Sequence, residues 1–139
     1  MSFPKSEAVT FVTLTATGVE LARRLAVVCP GAEVHGLASR THGIDVSFDK
    51  TMTHLRDLFV AGRPIVGICA AGILIRTLGP LLNDKYGEPP VVSLAEDGSV
   101  AVPLLGGHRG ANSLAKALAA ASGGVAAVTT AGDIGLGIA

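Results

Sequence analysis

A glycine-rich loop with a histidine and an arginine at its centre holds the residue types best suited to chemistry. Residues 106–110 read Gly-Gly-His-Arg-Gly, between an apolar run and a helix-forming run. A loop that opens into a helix presents backbone N–H groups to an anion. His108 adds a side chain that exchanges protons near neutral pH, and Arg109 adds a lasting positive charge. The loop is therefore either an anion site or a plain strand-to-helix turn.

Other turns of the same kind occur along the chain. Residues 15–18 and 70–72 follow apolar runs and precede helical patterns, and residues 129–133 follow the last apolar run. In an open parallel sheet, such turns lie together at the carboxyl ends of the strands, where ligands bind. Without a P-loop lysine or a G-x-G-x-x-G spacing, this edge suits a flat polyanion better than a nucleotide. The predicted rim carries Gly72, Arg76, His108, Arg109, Thr129, Thr130 and Asp133. Arg76 either points to an anion at the Gly72 turn or only extends from a buried helix.

The alternation of strand and helix patterns predicts the elements that position these residues. Asp97-Gly98 predicts a β-hairpin, and Pro80 predicts that one helix stops and restarts. We expect a single α/β domain over 1–139, a three-layer sandwich with a mostly parallel, flavodoxin-like sheet and one β-hairpin, with 134–139 as a short tail. Expected strands are 8–14, 33–37, 46–48, 64–70, 91–94, 100–104 and 125–129. Expected helix N-caps are Thr17, Thr51 or Thr53, and Asn112 or Ser113.

Composition narrows the classes of function. Acidic and basic residues balance at 11 each and aromatic residues make up only 4%, which argues against binding to nucleic acid or to a charged membrane surface. No apolar run is long enough to span a bilayer, and the polar N-terminus does not resemble a signal peptide. Cys29 and Cys69 form no C-x-x-C pair, so we expect no metal site and reduced thiols in the cytoplasm. The low charge and the mean hydropathy of +0.54 favour self-association or a partner domain.

Four motifs, in order between Arg63 and Asp133, resemble the cobalamin biosynthesis protein CbiG. They are Gly72-Ile-Leu-Ile-Arg76 with Pro80-Leu-Leu-Asn-Asp-Lys85; Glu96-x-Gly98; Leu104-Leu-Gly-Gly-His108 with Gly110-Ala-Asn112-x-Leu-Ala115; and Thr129-Thr-Ala-x-Asp133. The first sixty residues match only in pattern. The family's usual serine before Gly-His is Gly106 here, and its usual Asp-Glu is Ala95-Glu96.

The resemblance implies a cobalt-precorrin-5A hydrolase, which opens the δ-lactone of a corrin ring and releases acetaldehyde. Cobalt then belongs to the substrate, and no further cofactor is expected. His108 is the expected base, with Glu96 orienting it or acting as base itself, while N–H groups of the 106–110 loop hold the oxyanion. Arg76, Lys85 and Arg109 would pair with carboxylates of the substrate. The other expected contacts are Gly72, Gly106, Gly107, Gly110, Asn112, Thr129, Thr130 and Asp133.

A binding module without catalysis is the alternative. Members of the family usually continue past the Thr-Thr-Ala-x-Asp turn into a second domain, and this chain ends six residues after Asp133. Such a module would hold a corrinoid intermediate, or dock on a methyltransferase of the pathway, as a monomer or a homo-oligomer. A flavodoxin-like domain for some other small polyanion is the third reading, since fold alone does not settle function.

Overall fold

The computed structural model describes residues 8–129, where seven strands form one sheet and four α-helices pack on it. The strands are β1 (Thr10–Thr13), β2 (Glu33–Leu37), β3 (Val46–Phe48), β4 (Ile65–Ile68), β5 (Val91–Leu94), β6 (Val100–Leu105) and β7 (Val125–Ala126). The helices are α1 (Ala16–Ala26), α2 (Thr51–Val60), α3 (Ala71–Leu78) and α4 (Ala111–Ser122), with 3₁₀ turns at Gly79–Leu81 and Gly107–Arg109.

The direction of the strands changes once across the sheet. The strand order is β3-β2-β1-β4-β5-β6-β7, and β1 to β5 all run parallel. The hairpin turn then makes β6 antiparallel to β5, and β7 is parallel to β6. We call the side where β1 to β5 end the carboxyl edge and the side where they begin the amino edge. Strand β6 therefore begins at the carboxyl edge and ends at the amino edge.

Helices cover both faces of the sheet, which confirms the predicted three-layer arrangement. Helices α1 and α4 bury one apolar cluster that includes Leu21, Leu118 and Leu94. Helices α2 and α3 bury a second cluster on the other face, with Leu55 and Leu74 among its members. Each fully buried leucine contributes about 2 kcal/mol through removal of apolar surface from water. The two clusters together fix the sheet between its helical layers.

The predicted caps of three helices are wrong, for local reasons. Helix α1 begins one turn earlier than expected, because Thr15 rather than Thr17 accepts the N–H of Gly18 at 3.1 Å. Lys50 precedes α2 and makes no side-chain cap, so neither Thr51 nor Thr53 has that role. Helix α4 starts on Gly110, whose φ of 101° is a left-handed conformation that favours glycine. Asn112 and Ser113 therefore lie inside α4. The predicted interruption at Pro80 is confirmed by the 3₁₀ turn that follows α3.

Candidate functional site

The predicted site residues lie at two opposite edges of the sheet, so the expectation of a single rim is wrong. Leu105 pairs with Val91, the first residue of β5, and Ala101 pairs with Leu94, its last. The loop that follows β6 is thereby carried to the amino edge, while the turns that follow the parallel strands stay at the carboxyl edge. Strand β6 separates the two edges by about 17 Å, at the usual rise per residue. Gly72, Arg76 and Glu96 lie at the carboxyl edge; Lys85, Gly106, Gly107, His108, Arg109, Gly110 and Asn112 lie at the amino edge.

The last predicted residues are only partly described. Strand β7 runs parallel to β6, and the N–H of Ala127 donates to the carbonyl of Ala101 at 2.9 Å. The chain therefore leaves β7 in the direction of the amino edge, and Thr129 is exposed. Thr130 and Asp133 lie outside the described residues.

An open groove of about 760 Å³ lies at the amino edge. Its floor is the end of β6, at Leu104 and Leu105, and its wall is the first turns of α4. The lining contains two lysines and one glutamate, so its side chains carry more positive than negative charge and favour an anionic ligand. We call it the amino-edge groove; its polar lining residues are Lys85, Glu88, His108, Asn112, Ser113 and Lys116.

Aromatic contact holds His108 in this groove. Its ring centroid is 4.4 Å from that of Tyr86, with the rings tilted by 34°. The Nζ of Lys85 is 5.3 Å from the centroid of the same Tyr86 ring, within range of a cation–π interaction. Both His108 and Tyr86 are exposed, so solvent and ligand can reach the imidazole. One side of the His108 ring is therefore in contact with Tyr86, and the ring remains accessible to solvent.

One N–H group of the 106–110 loop and the N–H group of the residue after the loop already donate hydrogen bonds within the backbone. The carbonyl of Gly106 accepts from the N–H of Arg109 at 2.8 Å and from the N–H of Ala111 at 3.2 Å. These two donors are therefore not available to an oxyanion. Only the other N–H groups of the loop can therefore have the predicted role of binding an oxyanion.

The carboxyl edge holds a different site, built around Glu96. The Oγ1 of Thr15 donates to Glu96 Oε2 at 2.8 Å, so the cap of α1 also holds this carboxylate. A cavity of about 350 Å³ lies beside it, and Cys69, Ser93 and Val102 are part of its lining. Burial, with a smaller effect of Glu96, raises the pKa of the Cys69 thiol to about 11. The thiol is thus protonated at neutral pH and is a poor nucleophile.

Glu96 does not orient His108, because the length of β6 separates the two residues. That part of the sequence prediction is wrong.

At the carboxyl edge, the guanidinium of Arg76 folds back over the first turn of α3, since a Cβ on Gly72 would be 3.3 Å from Arg76 Nη1. Arg76 is exposed there, and its contact with an anion at the Gly72 turn stays a prediction.

Sequence reasoning missed several contributors. Lys116 is four residues after Asn112 and so shares its face of α4, a spacing that was readable from the sequence. Tyr86 gave no signal, because it lies in an irregular segment far from His108 along the chain. His35 and His54 are also in contact, with Nδ1 of His35 2.8 Å from Nε2 of His54.

The described residues hold neither a candidate metal cluster nor a candidate membrane span. Within residues 8–129, no three His, Cys, Asp or Glu side chains are grouped closely enough to hold a metal ion. In the same part of the chain, no helix has the length and apolar character needed to cross a membrane.

Comparison with known proteins identifies similar chains. The sequence model of the cobalamin synthesis G N-terminal family matches residues 53–133. A cobalt-precorrin-5A hydrolase of Salmonella typhimurium is 37% identical over 136 residues, which cover 96% of this chain and 38% of that protein. A cobalt-precorrin-5A hydrolase of Priestia megaterium is 30% identical over 130 residues, covering 88% of this chain and 35% of that protein. The match therefore extends well into the first sixty residues.

A solved structure shares the fold. The crystal structure of a cobalamin biosynthesis protein G homologue from Sulfolobus solfataricus superposes with a TM-score of 0.64 and 17% sequence identity. It covers 88% of this chain and 36% of that one. In all three comparisons the chain spans little more than a third of the length of its relative.

Proposed function

Since the chain belongs to the cobalamin synthesis G family, we propose that it acts on cobalt-precorrin-5A, opening the ring lactone by hydrolysis with release of acetaldehyde. The observation that carries the proposal is the relatedness to two cobalt-precorrin-5A hydrolases over most of this chain. The amino-edge groove supports it, because a lysine-lined cavity of about 760 Å³ suits a large ligand that carries carboxylates.

In the proposed reaction, His108 removes a proton from water, and the water oxygen attacks the lactone carbonyl carbon. The carbonyl oxygen becomes an oxyanion, which the N–H groups of Gly107 and His108 stabilise. Collapse of this intermediate breaks the acyl–oxygen bond and leaves a carboxylic acid and an alkoxide; the alkoxide takes the proton from His108, and the acid gives its proton to solvent. The alcohol then loses its hydroxyl proton to the neutral His108, and its oxygen becomes the carbonyl of acetaldehyde as the carbon–carbon bond to the macrocycle breaks. The electron pair of that bond enters the conjugated ring, which takes up a proton from the protonated His108.

Other residues bind and orient. Lys85 and Arg109 pair with peripheral carboxylates of the substrate at the amino edge, with Gly106, Gly107, Gly110 and Asn112 lining the groove. Gly72 and Arg76 bind a carboxylate at the carboxyl edge. Further contacts with the substrate, proposed from the sequence motif alone, come from Thr129, Thr130 and Asp133. Cobalt arrives within the substrate, and the protein supplies no cofactor of its own.

Replacement of the proposed base tests the reaction. His108→Gln should lower kcat/KM for acetaldehyde release by about 10²–10⁴-fold, the usual contribution of a general base. The dissociation constant for the corrinoid should stay within about threefold of wild type, because glutamine keeps a polar side chain of similar reach. The assay is acetaldehyde release with mass spectrometry of the corrinoid.

His42→Gln is the matched control, since His42 is an exposed histidine on the loop between β2 and β3. It should react like wild type. Unchanged turnover in His108→Gln would show that His108 is not the base.

A corrinoid-binding module without catalysis is the second candidate function, and one observation favours it. His108 and Glu96, the two residues chosen for proton transfer, lie at opposite edges of the sheet. In both relatives, well over half of the sequence lies outside the region that matches this chain, which covers 38% of one and 35% of the other. In this version the chain holds the intermediate for a second domain or a pathway methyltransferase, alone or as a homo-oligomer. Corrinoid binding without acetaldehyde release would support it.

The proposed setting is the cytoplasm. Its reducing environment suits the free thiols Cys29 and Cys69. No role for nucleic acid or membranes is part of the proposal, in keeping with the balanced charge of the chain.

A further inference from the structure

One face of strand β6 is left open between α3 and β7. Helix α4 packs on the opposite face, where Ala101 is fully buried in the cluster that α4 shares with α1. On the near face, Val102 and Leu104 are only half-buried, and Val100 is 37% exposed. Helix α3 approaches β6 only near the end of the strand, where Leu104 and Leu105 pack against the cluster that α3 shares with α2.

Two cavities lie on this open face, and the amino-edge groove adjoins them at the end of β6, where α4 forms its wall. The carboxyl-edge cavity includes Val100 and Val102 in its lining. A smaller one of about 160 Å³ lies next, between Ile75 and Leu78 of α3 and the end of β6. Leu104 and Leu105 line both this cavity and the amino-edge groove. The first two cavities are adjacent, because Val102 and Leu104 are successive residues on one face of β6. We call these two cavities and the groove at the strand end the β6 trough.

The borders of the trough are unusually apolar. The described residues include ten exposed large hydrophobic side chains. Five of the ten border the trough: Ile75, Leu82, Tyr86, Val100 and Val125. A concentrated exposed apolar surface of this kind typically marks a binding site.

Charge distinguishes the two ends of the trough. Lys85, Lys116 and His108 line the amino end with one carboxylate, Glu88, whereas the carboxylate of Glu96 lies at the other end. An apolar floor with cationic groups at one end fits a ligand with an apolar disc and an acidic periphery. A peptide helix or a second folded domain would not need lysines grouped at one end.

We propose that the macrocycle of the tetrapyrrole substrate lies flat in the β6 trough, with its ring face on Val102 and Leu104 and its carboxylates at Lys85 and Lys116. This inference rests on the proposed function and places its substrate. A ring there has its edge beside His108, while the opposite rim reaches the Glu96 cavity, so a single ligand joins the two edges that β6 separates. The trough, about 17 Å long, is comparable in span with a tetrapyrrole disc and its acid side chains.

Charge placed in the trough tests this geometry. Ile75→Glu and Val100→Glu each put a carboxylate at an exposed position on the trough border. The probe is cobyrinic acid, a cobalt corrin with free peripheral carboxylates, titrated by calorimetry and visible absorption. Each substitution should weaken binding by about tenfold or more, because a desolvated carboxylate would face the apolar ring and repel the acids of the ligand.

The chain offers a matched control for each variant. Val46 is also a strand residue that is 37% exposed, but it lies in β3 at the far end of the sheet. Val27 is exposed at the end of α1, on the opposite face from α3. Val46→Glu and Val27→Glu should bind cobyrinic acid within about twofold of wild type, as expected for surface changes distant from a ligand. Melting temperatures of all four variants should show that they remain folded.

The outcomes separate this inference from the proposed function. If wild type binds cobyrinic acid and the trough variants bind it as tightly as the controls do, the β6 trough is not the binding site, although the proposed function stands. If wild type does not bind the corrin, the proposed function is contradicted as well. If the trough variants keep their affinity but change from dimer to monomer in sedimentation, the trough is a protein interface and the inference is wrong.

Discussion

A hydrogen bond joins the imidazole rings of His35, which is buried, and His54, which is half-buried. Nδ1 of His35 is 2.8 Å from Nε2 of His54, so one of the two nitrogens must donate and the other accept. The second nitrogen of His35 is 3.1 Å from an oxygen of Glu33, and Phe48 stacks on the His54 ring. Burial, and then the nearby His35, lowers the pKa of His54, while Asp57 opposes this weakly. The folded protein therefore favours the neutral His54 ring.

This lowered pKa makes stability dependent on pH. Below about pH 6.5, the unfolded chain takes up a proton on His54 before the folded chain does. The free energy of unfolding should therefore fall as the pH drops through that window, and should be unaffected by His54 above it. His54→Gln, which keeps a hydrogen-bonding partner for His35 and does not titrate, should show a flatter dependence. Urea unfolding at pH 7.5 and 5.5 measures both; parallel curves for the two proteins would contradict the assignment.

The histidine contact also shows what residue patterns do not reveal. His35 is 5% exposed, although it is a polar residue in a strand, and its partner is 19 residues away on another element. Periodicity can place each residue on a face of its own element but cannot pair the two faces. The pairing depends on how α2 crosses the sheet, which only the tertiary structure shows.

At the scale of the element, the loop between β6 and α4 depends on the backbone of Gly106. Its φ is 77°, in the left-handed region that favours glycine. A Cβ atom at this position would also collide with the carbonyl oxygen of Pro89 and with Pro90. The segment before β5 and the loop after β6 are therefore packed together too closely for any side chain.

Gly106→Ala should lower the free energy of unfolding by about 2–4 kcal/mol, since backbone strain adds to the steric collision. Gly107→Ala is the matched control, because Gly107 lacks a positive φ and a Cβ there would have no atom within 4 Å. The control should change stability by less than about 0.5 kcal/mol. Urea unfolding followed by circular dichroism measures both, and equal losses in the two variants would show that the close packing at Gly106 is unimportant.

The elements themselves were largely predictable, whereas their arrangement was only partly so. The alternating strands and helices, the hairpin at Asp97-Gly98 and the stop at Pro80 follow from local patterns, and the structure confirms them. The hairpin also implied that β6 is reversed, so its loop belonged at the amino edge. That consequence was readable and was missed. The position of β1 between β2 and β4 was not readable, because strand order depends on contacts between distant segments.

For the whole molecule, the two edges should behave as independent parts of one binding surface. Glu96→Gln and His108→Gln change side chains separated by the length of β6. Their effects on the free energy of cobyrinic acid binding should add to within about 0.5 kcal/mol, as is usual for distant sites. A double-mutant cycle by calorimetry measures the coupling. A larger coupling would mean that the two side chains act as one unit, as the single-rim expectation required.

The central place of β1 also affects how the protein forms during synthesis. Strand β1 is made before the other strands that the structure describes, yet one of its edges pairs with β4, whose residues Ile65–Ile68 are made much later. Until β4 has left the ribosome, β1, which is fully buried in the folded sheet, has an open side that other chains can pair with. The nascent protein is therefore most prone to aggregation while α1, β2, β3 and α2 are being added, and a chaperone that shields β1 during this interval would improve its yield.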